Sequence, residues 1–360
     1  MFNLATETDF NGLQDKLLME IELKPIQGDR FQPTGFPNLG AAVYETPKGD
    51  RNILVESPQS MANRLEKICL KDEGPYLNED LNGLSYVLAH IKVKKSKDTE
   101  AMEIDTSSLV EAHRLNSPFI IKNPQFKDEF GKRSGYDGKG KHLDWHKTSE
   151  AVFYYDVNSL IHGTFLSNFQ DGRVKFPRIL SAFIEAMNVK EAESGGTKFN
   201  SFDPSGTIKL EGDTKNVYGN VPYQRTEYVA DSIKAYFNID VNLLKSYRLD
   251  ESAELLLLNL AMYKITRFCE SGLRLRTACD LTVNGTLTAT NSDYQINGSS
   301  YYLGRVRKLI EECKNKNLFA GSPYEITTEA TYTPKKDKKD KNGNKESQEI
   351  SDNDDDNDND

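Results

Sequence analysis

Apolar and charged residues alternate near the start of the chain, over residues 18–26. Met19, Ile21 and Leu23 occupy every second position, with Glu or Lys between them. This two-residue period predicts a β-strand with one buried face. After a loop rich in Pro and Gly, two short apolar runs flank the turn residues at 47–50, which predicts a hairpin.

A helix is predicted directly after this hairpin. Ser57 is a favourable N-cap residue and Pro58 suits the first helical position. Met61, Leu65 and Ile68 then recur at helical spacing and form an apolar stripe.

The rest of the chain mixes strand and helix patterns. Strands are predicted at 84–93, 151–157 and 273–281, and helices after Ser108-x-x-Glu111, after Pro177, and at 228–237, 251–269 and 301–313. Strands interleaved with helices, with hairpins among them, indicate an α+β fold with a largely antiparallel sheet.

Length and composition limit the class of protein. A chain of 360 residues with 37% hydrophobic residues can form one large domain or two. It contains no apolar run long enough for a membrane span, and its first residues do not resemble a signal peptide. Its four cysteines form no C-x-x-C pair, which is typical of buried thiols in a reducing compartment. We therefore expect a cytoplasmic protein.

The net charge of −9 is concentrated at the C-terminus. Eight acidic residues and no basic residue lie between 346 and 360, and without them 46 basic residues face 47 acidic ones. Residues 335–360 contain one apolar residue, so we expect a disordered tail after a body at 1–334. A nearly neutral body does not predict a basic groove, although it can carry a local one.

The start of the first helix is a candidate site for phosphate. Its first turns carry Ser57, Gln59, Ser60, Asn63 and Arg64 and no carboxylate. Free backbone N–H groups at a helix N-terminus attract anions. The alternative is an ordinary capped surface helix.

Two arginines form a second candidate. In Leu273-Arg274-Leu275-Arg276, strand alternation places both arginines on one face. Adjacent guanidiniums require an anion between them, which is either RNA phosphate or one of the chain's own carboxylates.

Residues 127–147 form the third candidate. They mix basic residues, including Lys132 and Arg133, with Phe130, Tyr136, Trp145 and several glycines. We expect an exposed, flexible insertion whose aromatic and basic residues suit single-stranded nucleic acid, or else a solvated loop.

The chemistry-bearing residues indicate neither a metal site nor an enzyme. His142 and His146 have helical spacing but lack the Glu of an H-E-x-x-H motif. No nucleophile motif and no glycine-rich phosphate loop is present. We expect no cofactor, no bound metal and no catalytic residue.

Two long segments resemble a known family. Residues 30–40 (RFQPTGFPNLG) and 55–66 (VESPQSMANRLE) are similar to the signature of the type I-U, or I-G, CRISPR backbone protein of the RAMP superfamily. Shorter matches at 111–115, 182–186, 219–223, 227–228 and 273–281 extend the resemblance over roughly residues 20–315.

The resemblance implies an RRM-like (ferredoxin-like) palm with inserted finger and thumb elements. It also implies that copies polymerise head to tail along a guide RNA, in a Cascade-like surveillance complex with other subunits. Contacts to the RNA backbone would leave the bases free to pair with target DNA. Arg30, which opens the first segment, joins the expected RNA contacts.

Two other functions stay open at this stage. The first is a ribonuclease acting on guide or target RNA, although no loop aspartate can be assigned to cleavage. The second is a structural protein with no RNA role.

Overall fold

The computed structural model describes residues 13, 15–36, 40–95, 102–136, 142–208 and 219–332. The strands are β1 (Lys16–Pro25), β2 (Gly35–Phe36), β3 (Gly40–Ala41), β4 (Val43–Glu45), β5 (Arg51–Glu56), β6 (Val87–Lys95), β7 (Met102–Ser107), β8 (Thr164–Phe165), β9 (Lys175–Phe176), β10 (Leu180–Met187), β11 (Lys190–Lys198), β12 (Val221–Val229), β13 (Ser232–Asp240), β14 (Leu273–Arg276), β15 (Cys279–Val283), β16 (Thr288–Ala289) and β17 (Tyr324–Tyr332). The helices are α1 (Pro58–Lys67), α2 (Pro118–Ile121), α3 (Pro124–Ser134), α4 (Trp145–Tyr155), α5 (Val157–His162), α6 (Val241–Ser246), α7 (Glu251–Glu270) and α8 (Ser299–Asn315).

The main sheet has the strand order β14-β15-β1-β13-β10-β5-β4, and each neighbouring pair is antiparallel. At its centre, β15, β1, β13 and β10 form four adjacent strands. Helix α1 lies in the connection from β1 to β10, and α7 lies in the connection from β13 to β15. Each helical connection therefore skips one strand, which is the split βαβ arrangement of a ferredoxin-like fold. The predicted α+β class, RRM-like core and largely antiparallel sheet are confirmed.

The two core helices cover one face of this sheet. Helix α1 packs on β10 and α7 packs on β13, where the rings of Phe237 and Phe268 lie 6.3 Å apart. Along β10 and β13 every second side chain is buried beneath the helices, and the residues between are half-buried on the other face. That other face is called the open face below.

A large insertion, residues 68–179, follows α1. It contributes β6 and β7, and β17 from the C-terminal part of the described chain joins them in a second sheet of order β17-β6-β7, in which β17 runs parallel to β6. Helices α2 to α5 complete it around an aromatic core that includes Phe126, Phe130 and Phe169. Within the described residues, no helix combines the length and apolarity needed to cross a bilayer.

Strands β11 and β12 form a long antiparallel hairpin that continues β10 and β13 beyond the main sheet. Its pairing runs from Lys190 opposite Val229 to Lys198 opposite Val221. Most of its side chains are exposed, so little besides backbone pairing holds this hairpin.

Several predicted elements are confirmed: the first strand, the hairpin at β4 and β5, the capped helix α1, and the helices α7 and α8. Four predictions of element type are wrong, one of them the helix expected after Ser108-x-x-Glu111. The residues predicted to form a helix after Pro177 form strand β10. Those predicted to form a helix at 228–237 belong to β12 and β13. The strand predicted at 151–157 is instead mostly helix α4.

The physical reason is that nearly continuous apolar runs fit both periods. Residues 180–187 (LSAFIEAM) have apolar positions at helical spacing and also at every second position, and sheet pairing decides between them. In α4, β-favouring residues such as Val152 and Phe153 are buried in a helix because tertiary packing overrides their propensity.

The Ser108-x-x-Glu111 pattern does not begin an α-helix. The Ser108 hydroxyl accepts a hydrogen bond from the Val87 backbone N–H at 3.1 Å, and the Glu111 carboxylate accepts one from the Thr106 hydroxyl. Both capping groups are thus engaged with other partners, and a short 3-10 turn follows.

The expected flexible insertion at 127–147 is largely helical. Residues 127–134 belong to α3 and 145–147 to α4, while 137–141 lie outside the described residues. Phe130 and Tyr136 are fully buried, whereas Trp145 is about half exposed. The aromatic residues that suggested nucleic-acid stacking are therefore mostly core. The expected tail at 335–360 also lies outside the described residues.

Candidate nucleic-acid interface

Helix α1 begins as the sequence predicts. The Ser57 hydroxyl accepts a hydrogen bond from the Ser60 backbone N–H at 3.2 Å, and Pro58 occupies a position that needs no N–H donor. Gln59 and Asn63 are exposed one turn apart, and the first turn contains no acidic residue. The N-terminal end of α1 therefore presents neutral donors and the positive end of the helix dipole.

A buried carboxylate precedes this helix. Glu56 is completely buried, and its Oε1 atom accepts hydrogen bonds from Arg64 at 2.8 Å and from Arg276. Its Oε2 atom has no partner among the described residues. Two guanidiniums share one carboxylate, so the cluster formed by Glu56, Arg64 and Arg276 keeps one positive charge in excess.

The same two arginines join three segments of backbone. Arg276 donates to the carbonyl oxygens of Gln32 at 2.7 Å and Val55 at 3.0 Å, and Arg64 donates to that of Leu275 at 2.6 Å. The loop at 30–34, the start of α1 and strand β14 consequently meet at one point. The two long segments singled out in the sequence are thus brought together.

Arg274 and Arg276 do not have equivalent surroundings. Leu273 and Leu275 are buried, as the predicted alternation requires, but the ladder to β15 shifts its register between the two arginines. Arg276 is only 23% exposed at its side chain. The Arg274 side chain is exposed and makes no hydrogen bond or ion pair with any described residue, although Asp280 lies opposite Arg274 in the ladder. Arg274 is therefore the arginine of this strand that can reach an external anion.

Arg30 lies in a more acidic setting. Its guanidinium is 3.5 Å from the carboxylate of Glu227, which is buried and also paired with Arg225 at 2.7 Å. A shallow depression beside it is lined by Asp29 and Asp280 as well. Arg30 is exposed, but its charge is largely balanced by its neighbours.

Lys132 and Arg133 lie on α3, where their partners belong to the insertion. Lys132 pairs with Asp128 at 2.6 Å, and this hydrogen bond raises the pKa of Lys132. The Arg133 guanidinium lies 3.3 Å from the centre of the Tyr154 ring. Both side chains are therefore engaged locally, and neither contributes to the cluster at Glu56.

A depression of about 570 Å³ beside α1 was not predicted. Asn63, Lys67 and Lys71 line one side, and a turn that includes Val110 lines the other. The turn is fixed because Arg114 binds Glu66 of α1 with two hydrogen bonds, at 2.6 and 3.0 Å. Helical spacing from Asn63 to Lys67 was visible in the sequence, but the pairing of Arg114 with Glu66 was not.

No cluster of metal-ligating residues is found among the described residues. The Nε2 atom of His146 lies 3.6 Å from a carboxylate oxygen of Glu150, one turn along α4. His146 therefore belongs to a side-chain pair on the helix surface.

The chain was compared with curated proteins, solved structures and protein-family models, and one family model matches it. No curated protein matches the chain significantly. Among solved structures, a chain of a "CRISPR RNA-guided surveillance complex, pre-nicking" shares 11% identity over 84% of this chain and 89% of its own, with a TM-score of 0.35. Thermofilum pendens Csc2 shares 11% identity over 84% of this chain and 80% of its own, with a TM-score of 0.29. Sequence identities and TM-scores this low do not assign a role to the chain. Residues 17–191, close to half of the chain, match the model of the family described as CRISPR-associated protein GSU0053.

Proposed function

We propose that this protein is a guide-RNA-binding backbone subunit of a CRISPR surveillance complex. In this role several copies polymerise head to tail along one RNA, beside other Cascade-type subunits, and leave the RNA bases free to pair with target DNA. The family match and the resemblance of residues 30–40 and 55–66 to the type I-U backbone protein support this role.

The observation that carries the proposal is the excess positive charge at the start of α1. Arg64 and Arg276 share Glu56, Arg274 lies exposed on the adjoining strand, and the helix dipole adds positive potential. Phosphate is the anion that such a site favours in a protein of this family. Gln59 and Asn63 supply neutral donors on the same helix.

Self-association is supported by the hairpin of β11 and β12. Its tip exposes Phe199 and Phe202, at 76% and 84%, and Tyr223 is also exposed. Large exposed aromatic residues are a feature of interaction surfaces. A hairpin that contacts a different surface of the next copy gives an open, head-to-tail assembly.

The role is non-enzymatic. The cluster at Glu56 holds one buried carboxylate bound by two arginines, which is unsuited to proton transfer because the carboxylate is shielded from a substrate. A ribonuclease remains the competing function, and the integrity of bound RNA distinguishes it.

The test uses full-length protein and single-stranded RNA, titrated at several salt concentrations. We expect Arg274→Ala to weaken binding equally for all sequences and to lower the slope of log K against log salt by about 0.7, the value for one lost phosphate contact. The Gln59→Ala/Asn63→Ala double variant removes neutral donors, so affinity falls while the slope stays nearly unchanged. Lys308→Ala, an exposed change on α8, is the control and leaves both unchanged.

Two results would contradict the proposal. Shortened RNA products would indicate a nuclease. Equal effects of Arg274→Ala and Lys308→Ala would mean that RNA does not bind at this site.

A further inference from the structure

The open face of the main sheet carries a stacked aromatic pair. Phe183 of β10 and Tyr236 of β13 are direct cross-strand neighbours, with ring centroids 5.0 Å apart and planes 26° apart. Both rings are half-buried, and Leu18 and Tyr44 on the surrounding strands are 37% and 41% exposed. An RRM-like sheet commonly uses such rings to stack RNA bases.

The charged residues around this aromatic pair disfavour RNA binding, because their net charge is negative. Glu20 and Glu22 of β1 and Glu185 of β10 surround the rings, Lys234 lies directly among them, and Lys24 lies two residues beyond Glu22 on the same face. Lys234 is bound to Glu20 at 3.0 Å, and this hydrogen bond raises the pKa of Lys234. Three carboxylates against two ammonium groups leave a net negative charge, which repels phosphate and attracts cations.

Glu22 and Glu185 both lie opposite Lys234 in the strand register, but the Lys234 ammonium is bound to Glu20. Glu22 accepts a hydrogen bond from the neutral Ser232 hydroxyl at 2.6 Å. Neither Glu22 nor Glu185 forms an ion pair within the part of the chain that the structure describes. A negative surface therefore borders the half-buried aromatic pair, on the side of the sheet opposite α1.

We propose that the open face is a docking surface for a protein partner that presents an arginine-bearing segment. A guanidinium stacks on an aromatic ring and forms paired hydrogen bonds with carboxylates, and the open face offers both next to each other. The partner's positive charge complements Glu22 and Glu185. Because α1 lies on the opposite face, RNA and this partner can bind together, and the inference does not depend on the proposed RNA role.

The test measures binding of a fluorescent peptide of alternating arginine and serine to the full-length protein by fluorescence anisotropy. Glu22→Gln/Glu185→Gln keeps side-chain shape and removes two charges, and we expect at least about fivefold weaker binding. Asp355→Asn/Asp356→Asn changes the net charge equally in the C-terminal residues and is expected to change affinity less than twofold.

A second arm separates stacking from charge. Tyr236→Leu keeps an apolar side chain and is expected to weaken the arginine peptide about threefold, with little effect on a matched lysine peptide. Circular dichroism confirms folding, and if Tyr236→Leu does not fold, the carboxylate variant decides alone.

Three outcomes would overturn the inference. Equal weakening by the two charge variants would mean that only net charge attracts the peptide. If Glu22→Gln/Glu185→Gln does not weaken peptide binding, the open face is not the docking surface. Loss of single-stranded RNA binding in Glu22→Gln/Glu185→Gln would make the open face an RNA surface instead.

Discussion

Glu56 shows how a single buried residue can organise the structure around a proposed binding site. Its buried carboxylate holds Arg64 and Arg276 in place, and these arginines in turn tie down the loop at 30–34 and strand β14. From the sequence, the two arginines of β14 could face either RNA phosphate or an internal carboxylate. The structure gives Arg276 an internal carboxylate and leaves Arg274 exposed, so the phosphate interpretation stays a prediction for Arg274.

Replacing Arg276 by alanine is expected to destabilise the protein. The change leaves Glu56 buried with one cation and removes two hydrogen bonds to backbone carbonyls, so unfolding becomes easier by about 3 kcal/mol, the scale for breaking a buried ion pair. Urea denaturation measures this free energy. Arg274→Ala, which removes an exposed side chain, serves as the control and is expected to change stability by less than about 0.5 kcal/mol. Equal stability of both variants would show that the ion pair contributes little.

A second buried site makes stability depend on pH. His162 is completely buried, and its Nε2 atom lies 2.7 Å from the ammonium of Lys264, which also donates to Asn158 at 2.5 Å. Burial first, and then the positive charges of Lys264, Arg114 and Arg178, hold the pKa of His162 well below its usual range. The folded protein therefore keeps this imidazole neutral under mildly acidic conditions.

The consequence is a loss of stability as the pH falls below the unfolded-state pKa of His162. The unfolded chain then binds a proton that the folded protein does not, so unfolding is favoured by about 1.4 kcal/mol at about pH 5.5 relative to neutral pH. His162→Gln retains an oxygen that can accept from Lys264 but cannot titrate, and its stability is expected to vary less over this range.

Urea denaturation of both proteins at the two pH values gives the measurement. Comparing them cancels other groups that titrate, such as Asp156, whose pKa burial raises. Identical pH dependence in the two proteins would rule out His162 as the source.

Among the secondary-structure elements, α1 is the one whose N-terminus contributes to stability and also belongs to the proposed RNA-binding site. Ser57→Ala removes the hydrogen bond to the Ser60 N–H and is expected to cost about 1 kcal/mol of stability. Ser57→Asp restores the cap, and its carboxylate suits the helix dipole, so stability returns. The same carboxylate repels phosphate, so RNA affinity should fall for Ser57→Asp more than for Ser57→Ala. Denaturation and RNA titration of the two variants provide the check, and unchanged RNA affinity in Ser57→Asp would place the phosphates elsewhere.

The elements that the sequence predicted correctly are those with local signals. Helix α1 has a cap, a proline at its first position and an amphipathic stripe, and the hairpin of β4 and β5 has a turn between two runs. The errors at β10, β13 and α4 arise where apolar residues are nearly continuous, because pairing partners distant in sequence then decide the structure. The same limit applies to the site: Glu56 and Arg276 are 220 residues apart, and no local pattern connects them.

On the scale of the whole molecule, the compact βαββαβ core and the extended hairpin of β11 and β12 have different properties. The core buries its apolar residues, whereas the hairpin displays Phe199 and Phe202 to solvent. Beside these rings, residues 203–208 form a turn held by Asp203, a buried carboxylate that accepts the Ile208 N–H at 2.9 Å, and this hydrogen bond lowers the pKa of Asp203. Both rings are thus presented outward next to a hydrogen-bonded turn.

This arrangement predicts that assembly and single-copy RNA binding can be separated. Phe199→Ser/Phe202→Ser removes two exposed aromatic rings that are far in sequence from the proposed RNA site at Glu56. Binding of a single copy to a short RNA is therefore expected to stay within twofold of that of the unmodified protein. On longer RNAs, the number of copies per RNA is expected to rise with length for the unmodified protein and to rise less for the variant, because the contact between copies is weakened. Mass photometry with RNAs of increasing length measures both quantities. Phe165→Ser, which removes a side chain that is 49% exposed on β8, is the matched control and should assemble normally. If the hairpin variant assembles like the control, the contacts between copies lie on another surface, and the exposed hairpin aromatics need a different partner.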